Sequence, residues 1–321
     1  MRETYGVGVD LGATRARVCV GNRRGKLLWR ASKVMPLPRQ VEDYVGNLVD
    51  FVGGAFRHLP GKGLKAAIGV ASIGPLDMRR GRMSGPANLP YESVSLVSPL
   101  EEAFGSRVVL VNDANAAALG ERAFGAGKNH ENLVYVTIST GIGGGAIVDG
   151  HLLTGKDGNA AEVGHVVVDP SGRLTCGCGR KGHWEAYCSG KGIPRLANLL
   201  ASEESVTGGE TRLSRLLKTS TGPVGAAAIL KAATRGDRFG GRVAREMGRL
   251  NALGVANVVN MFDPSLITFG GGVALNNQAL VLDPIRELIT KYSINRVPRL
   301  MITPLGDDAG LLGALSVAFS D

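Results

Sequence analysis

Residues 5–21 read YGVGVDLGATRARVCVG, and residues 134–148 read VYVTISTGIGGGAIV. In the first stretch Val7 and Val9 alternate into a polar glycine turn, and Ala16, Val18 and Val20 alternate out of it. Alternation at period two on both sides of a turn predicts a β-hairpin. The second stretch repeats the plan of strand, polar glycine turn, strand. Two such hairpins suit a pair of grips on a polyphosphate, and they equally suit two ordinary hairpins.

Outward from these stretches, strands alternate with helices, the pattern of an α/β fold. Lys26–Ser32 suits a third strand. Residues 40–58 carry Val41, Tyr44, Val45, Leu48, Val49 and Val52 at helical spacing. Leu64–Ala71 is a buried strand, and Gly74–Pro90 is rich in turns. Val108–Val111 is a further strand, from which an alanine-rich helix runs over Asn112–Phe124. A second round starts with the strand Leu133–Ser139, the glycine-rich Thr140–Gly145 and a return strand at Ala146–Val148. Residues 155–192 are polar, 223–262 are helical, Leu266–Phe269 is a strand ending in three glycines, and Leu311–Phe319 is a closing helix.

Composition narrows the function. The chain has 321 residues, 44% of them apolar and 20% charged, with a net charge of +9. No basic run exceeds a pair, so the charge is diffuse and reads as a solvated surface rather than a nucleic-acid footprint. Aromatics at 5% argue against a stacking platform for single strands. No apolar run reaches the roughly 18 residues of a membrane helix, and the N-terminus lacks a signal-peptide core. A cytoplasmic location is the expectation. Cys19, Cys176, Cys178 and Cys188 do not form a disulfide framework.

Several clusters carry chemistry. Asp10-Leu-Gly12-Ala-Thr14 places a carboxylate, a glycine and a hydroxyl at a strand end, where backbone N–H groups and Thr14 suit phosphate and Asp10 suits Mg²⁺. In Thr140–Ala146, Gly141, Gly143 and Ala146 match the dinucleotide fingerprint, yet a short strand follows instead of the helix that fingerprint needs. Gly270 and Gly271 follow a strand, where bare backbone suits a flat base or simply a tight turn. Asp113 stands where a buried strand meets a helix. An Asp there is most often an N-cap, and it is also where open α/β sheets place catalytic groups. His165, Cys176, Cys178 and His183 fall within nineteen residues, a soft nitrogen and sulfur set that selects zinc, with Cys188 as a rival fourth ligand.

Together these pieces resemble the ROK family of sugar kinases and sugar-responsive repressors over nearly the whole chain. DLGATRARV (10–18) looks like that family's first phosphate turn, and NDANAAALGE (112–121) its catalytic segment. STGIGGG (139–145) resembles the second phosphate turn, and FGGGVA (269–274) the adenosine turn. NAAEVGH (159–165) followed by CGCGRKGHWEAYCSG (176–190) resembles the family signature.

The resemblance implies an actin-like, ribonuclease H-like ATPase fold, with two α/β domains and an active-site cleft between them. Residues 1–115 would form the smaller domain, rejoined by 306–321. Residues 116–305 would form the larger one with a zinc-containing loop. Asp113 would be the general base. Gly74, Asn88, Asn112, Glu162, His165 and Glu185 would join it in holding the sugar. Asp10, Gly12, Thr14, Arg15, Thr140, Gly141, Gly143, Gly270 and Gly271 would hold MgATP. His165, Cys176, Cys178 and His183 would hold a structural zinc, His165 also turning one ring nitrogen toward the sugar.

The implied reaction is ATP-dependent phosphorylation of a hexose, glucose at O6 foremost. Kinases of N-acetylmannosamine, N-acetylglucosamine or fructose are the alternatives. A sugar-binding repressor is disfavoured, because the first strand begins by Tyr5. A homodimer or tetramer is expected, with neither nucleic acid nor membrane as partner. The pattern is broken in places. His183 stands where the family usually has cysteine, Trp184 where it has an aliphatic residue, and Ala13 and Arg15 where glycine and lysine are common. Ser72–Pro75 and Asn88–Tyr91 also depart from it, on the sugar side.

Overall fold

The first hairpin forms as its alternation requires. In the computed structural model, β1 (Tyr5–Leu11) pairs antiparallel with β2 (Arg15–Asn22), setting Val7 opposite Val20, Val9 opposite Val18 and Asp10 opposite Arg17. The structure describes residues 4–61, 66–86, 89–203, 211–219 and 224–320. β3 (Leu27–Val34) adds to β2, and α1 (Val41–Phe56) buries Tyr44, Leu48, Val52 and Ala55 in the same core as Val7, Val9 and Val18. β4 (Ile68–Ser72) lies parallel to β1.

The segment expected to be turns, Gly74–Pro90, contains β5 (Leu76–Asp77) and β6 (Arg82–Ser84), which form a small antiparallel sheet with β7 (Ser93–Ser95) just beyond it. After α2 (Val97–Phe104), β8 (Val108–Asn112) completes a sheet of order β3-β2-β1-β4-β8 and hands the chain to α3 (Asp113–Phe124).

The second round starts with β9 (Leu133–Ile138), β10 (Ile142–Val148) and β11 (His151–Leu152). β10 begins at Ile142 rather than Ala146, so Gly143, Gly144 and Gly145 belong to the strand and not to the turn. The reason is packing: a Cβ on Gly145 would stand 2.5 Å from the Ala114 carbonyl, where the start of α3 lies against the strand.

The polar segment holds the short α4 (Glu185–Cys188) and leads into α5 (Gly192–Ser202) and α6 (Arg212–Thr219). The single helical stretch expected over 223–262 is two helices, α7 (Ala226–Thr234) and α8 (Arg238–Phe262). Gly236 breaks it with φ +84°, and the Asp237 carboxylate then caps α8 by accepting from Gly240 N at 2.9 Å. β12 (Leu266–Gly270) runs parallel to β9, followed by α9 (Gly271–Asn276), α10 (Gln278–Leu288), β13 (Arg299–Ile302) and α11 (Ala309–Val317).

The chain divides into two units, Met1–Glu131 with Gly145–Ala161 and Thr303–Asp321, and Asn132–Gly144 with Glu162–Ile302. The first unit runs past residue 115 because α11 returns to it and grips α3. A Cβ on Gly120 would come within 2.7 Å of the Ala309 carbonyl, and one on Gly313 would overlap the Ala116 carbonyl. Small residues on both helices let the backbones touch, and that contact explains the alanine run in NDANAAALG. Among the described residues no helix is long and apolar enough to cross a membrane.

Candidate active site

The first glycine turn is closed by Gly12 N donating to Arg15 O at 3.0 Å, which leaves Thr14 and Arg15 exposed at its tip. Arg15 also donates to Ser32 Oγ at 3.1 Å. Behind the tip, Asp10 is largely buried and its Oδ2 takes both Nε (2.9 Å) and Nη2 of Arg17. The third guanidinium nitrogen donates to the Asp307 carbonyl at 2.5 Å. Sequence reasoning passed over Arg17. The hairpin register was the available signal, since a turn over Gly12–Thr14 sets Arg17 directly opposite Asp10.

At the end of β8 the capping role falls to Asn112, not to Asp113. Asn112 Oδ1 accepts from Ala114 N at 3.0 Å and from Asn115 N at 3.3 Å. Asp113 is the first helical residue, with its own Oδ1 2.8 Å from Ala114 N. One residue of offset therefore separates the cap from the carboxylate. The carboxylate stands at the positive end of the α3 dipole. Gly74 lies beside Asn112, its Cβ position 3.6 Å from Asn112 Nδ2. Asn88 lies outside the described residues.

His165, Cys176, Cys178 and His183 converge, with one ligand atom from each within 4.8 Å of all the others. A tight hairpin brings the cysteines round: Cys176 N donates to Arg180 O at 2.7 Å, and Gly179 and Gly182 adopt φ of +83° and +77°. His165 Nδ1 is 3.2 Å from His183 Nδ1 and 3.7 Å from Cys176 Sγ, while Cys178 Sγ is 3.3 Å from His183 Nδ1. Tetrahedral zinc bonds of about 2.0–2.3 Å place ligand atoms roughly 3.3–3.8 Å apart, so the donor set fits that ion.

Cys188 stands apart. It is fully buried on the face of α4 that meets α8, and its thiol donates to the Met247 carbonyl at 3.5 Å. Next to His183, Trp184 is buried and donates to Asn251 Oδ1 at 2.8 Å, and Gly254 leaves room for its ring. α8 thus holds the indole that replaces the family's aliphatic residue.

The other nitrogen of His165, Nε2, faces Glu162 Oε2 at 3.9 Å. Burial and the neighbouring Glu185 raise Glu162 above the ordinary carboxylate range, against the pull of His165. Glu185 starts α4. Its Oε2 accepts from Ile142 N at 2.9 Å, and its Oε1 takes the Cys176 thiol at 3.5 Å. Gly141 is the residue that this carboxylate crowds, since a Cβ there would overlap Glu185 Oε2. Thr140 is exposed, and Gly143 lies in β10.

Across the same sheet, Gly270 ends β12 with no room for a side chain beneath the Tyr135 hydroxyl. Gly271 opens α9 at φ +82°, a conformation glycine adopts at little cost. The structure therefore brings Glu162, His165 and Glu185 together with the cysteine–histidine cluster. Asp10, Gly12, Thr14 and Arg15 form one group, and Gly74, Asn112 and Asp113 another.

Known proteins match the chain along its whole length. The model of the ROK family matches residues 6–320. A glucokinase of Thermotoga maritima is 34% identical over 316 residues, covering 97% of this chain and 96% of its own. The structure of a ROK hexokinase from Thermus thermophilus superposes with a TM-score of 0.81 at 34% identity, covering 98% of both chains. A ROK family glucokinase from Streptomyces griseus, solved with glucose and AMPPNP, gives 0.76 at 32% identity, again over 98% of both chains. The fold is accordingly the actin-like ATPase fold. By these matches the chain is a member of the ROK family.

Proposed function

We propose that this chain is an ATP-dependent sugar kinase of the glucokinase and hexokinase class, acting on glucose at O6, with Asp113 as its general base. The observation that carries this reading is the offset at the start of α3. Asn112 caps the helix, so the Asp113 carboxylate is placed at the helix N-terminus without having to serve as the cap. The relatives at 34% identity over nearly the whole of both chains include a glucokinase and a hexokinase, and the Streptomyces enzyme was solved with glucose and an ATP analogue.

In the reaction, Asp113 accepts the proton of the sugar hydroxyl as that oxygen attacks the γ-phosphorus. The bond from the γ-phosphorus to the bridging oxygen breaks, and ADP leaves. Gly74, Asn112, Glu162, His165 and Glu185 hold the sugar hydroxyls, and Asn88 joins them. The N–H groups of the two glycine turns, with Thr14, Arg15 and Thr140, hold the phosphates. Gly270 and Gly271 leave space for the nucleoside. Asp10, whose Oδ2 is held by Arg17, would hold Mg²⁺, which would neutralise phosphate charge. His165, Cys176, Cys178 and His183 would hold zinc, a closed four-ligand set that organises the loop bearing Glu162, His165 and Glu185. A cytoplasmic protein with sugar and ATP as its partners, assembled as a homodimer or tetramer, completes the reading.

A coupled assay of ADP release over glucose, mannose, fructose and the N-acetylhexosamines tests it. Glucose-dependent turnover is expected. Silence with every sugar from folded, metal-replete protein would overturn it.

A further inference from the structure

Away from the residues assigned above, the second unit carries a cavity of about 650 Å³ where α8, α10 and the turn after α10 meet the segment ahead of Cys176. Its charge is lopsided. Arg242, Arg245 and Arg249 lie on one face of α8 at helical spacing, and Arg173 and Lys291 complete five cations against two carboxylates, Glu246 and Glu287. Apolar side chains, Leu200 and Leu288 among them, form part of its wall.

Two of the cations are fixed in place. Arg249 donates twice to Glu246, at 2.9 and 2.8 Å. Arg173 reaches the same carboxylate at 3.4 Å, and is anchored from behind by Asp169 at 3.0 Å and by Glu203 at 3.4 Å. Glu246 therefore holds two guanidinium groups side by side, with further N–H donors on each. Arg245 and Lys291 are exposed and, among the described residues, carry no ion pair. Guanidinium forks fixed beside exposed cations in a concave, partly apolar pocket match a phosphoryl group better than a carboxylate, because a phosphoryl group accepts from several directions at once.

We propose that this cavity is a second anion site, which takes a small phosphoryl compound carrying at least two negative charges. The site lies behind the metal loop. Asp169, which anchors Arg173, also accepts from the Tyr187 hydroxyl at 2.6 Å, and that hydroxyl in turn accepts from Leu174 N at 2.9 Å, two residues before Cys176.

The test is a calorimetric titration of the whole protein with inorganic pyrophosphate, and in a second arm with glucose 6-phosphate. It compares wild type, Arg245→Glu/Lys291→Glu, and Arg39→Glu/Arg57→Glu as a control of equal charge change on exposed residues of the other unit. The cavity variant is expected to lose one binding site per chain, or to bind about tenfold more weakly, in at least one arm. The control should stay within about twofold of wild type, and the wild-type affinity should fall as salt rises. Should the charge reversal fail to fold, Arg245→Gln/Lys291→Gln is used, with a smaller loss in the same direction. An unchanged cavity variant, an equal loss in the control, or no binding to wild type overturns the proposal. Which arm responds tells a phosphorylated sugar from an inorganic source. Because the readout is binding, the result is independent of whether the chain phosphorylates glucose.

Discussion

Glu185 Oε2 accepts the Ile142 N–H at 2.9 Å, so the carboxylate that opens α4 also fixes the first residue of β10, directly after the second glycine turn. Its other oxygen lies against Cys176. One side chain thereby ties the cysteine–histidine cluster to the turn assigned to phosphate.

Under the proposed assignment of the sites, that link makes Glu185 a residue for both substrates. Glu185→Ala removes the carboxylate that accepts from Ile142 N, a loss of about 1.5–3 kcal/mol for a bond to a charged group. The expected result is a KM that rises about tenfold or more for both sugar and ATP. Glu185→Gln keeps an acceptor and should spare the ATP side. A Glu185→Ala enzyme with an altered sugar KM and an ordinary ATP KM would show that the link carries no function.

The offset at α3 separates two roles that adjoin in sequence. Asp113→Asn should lower kcat by about 10²–10⁴ while leaving thermal stability unchanged, because the cap belongs to Asn112. Asn112→Ala should instead cost about 1 kcal/mol of stability by uncapping the helix. Turnover assays and melting curves on the two variants check both halves. An Asp113→Asn enzyme with near wild-type kcat would remove the base.

The cysteine–histidine cluster predicts one zinc per chain by elemental analysis. His183→Ala should lose the ion, since His183 Nδ1 stands among the other ligand atoms. Cys188→Ala should keep it, since that thiol is occupied with the Met247 carbonyl inside the α4–α8 contact. Retention by His183→Ala together with loss by Cys188→Ala would reverse the assignment. Removal of the ion should raise the sugar KM first, through Glu162 and His165.

What the sequence made legible followed local rules. The hairpin at 5–21, the strand into α3 and the gathering of His165, Cys176, Cys178 and His183 are matters of alternation and spacing over short distances. What it hid was set by long-range contact. Gly145 reads as part of a phosphate turn but answers to the Ala114 backbone, and Gly141 answers to Glu185. Trp184 looked like a weakened motif until Gly254 and Asn251, some seventy residues on, supplied its pocket. Arg17 was an intermediate case, because its partner Asp10 could be deduced once the turn length was known.

Asp169 gives the loop a pH signature. Burial alone would raise its pKa, but hydrogen bonds from Ser171, Tyr187 and Arg173 outweigh it and hold the carboxyl well below the ordinary range. The unfolded chain titrates near the usual value of about 3.9. A depressed folded value contributes stability that is fully present above about pH 4 and is lost as pH falls toward the folded value. Asp169→Asn removes one of the three carboxylates that Arg173 faces, at a cost of about 1.5–3 kcal/mol near neutrality. Urea unfolding from pH 8 down to pH 3 should show this deficit constant at first and then shrinking below about pH 4, as the wild type loses the same interaction. A deficit that stayed level across the whole range would mean that the carboxylate contributes shape and not charge.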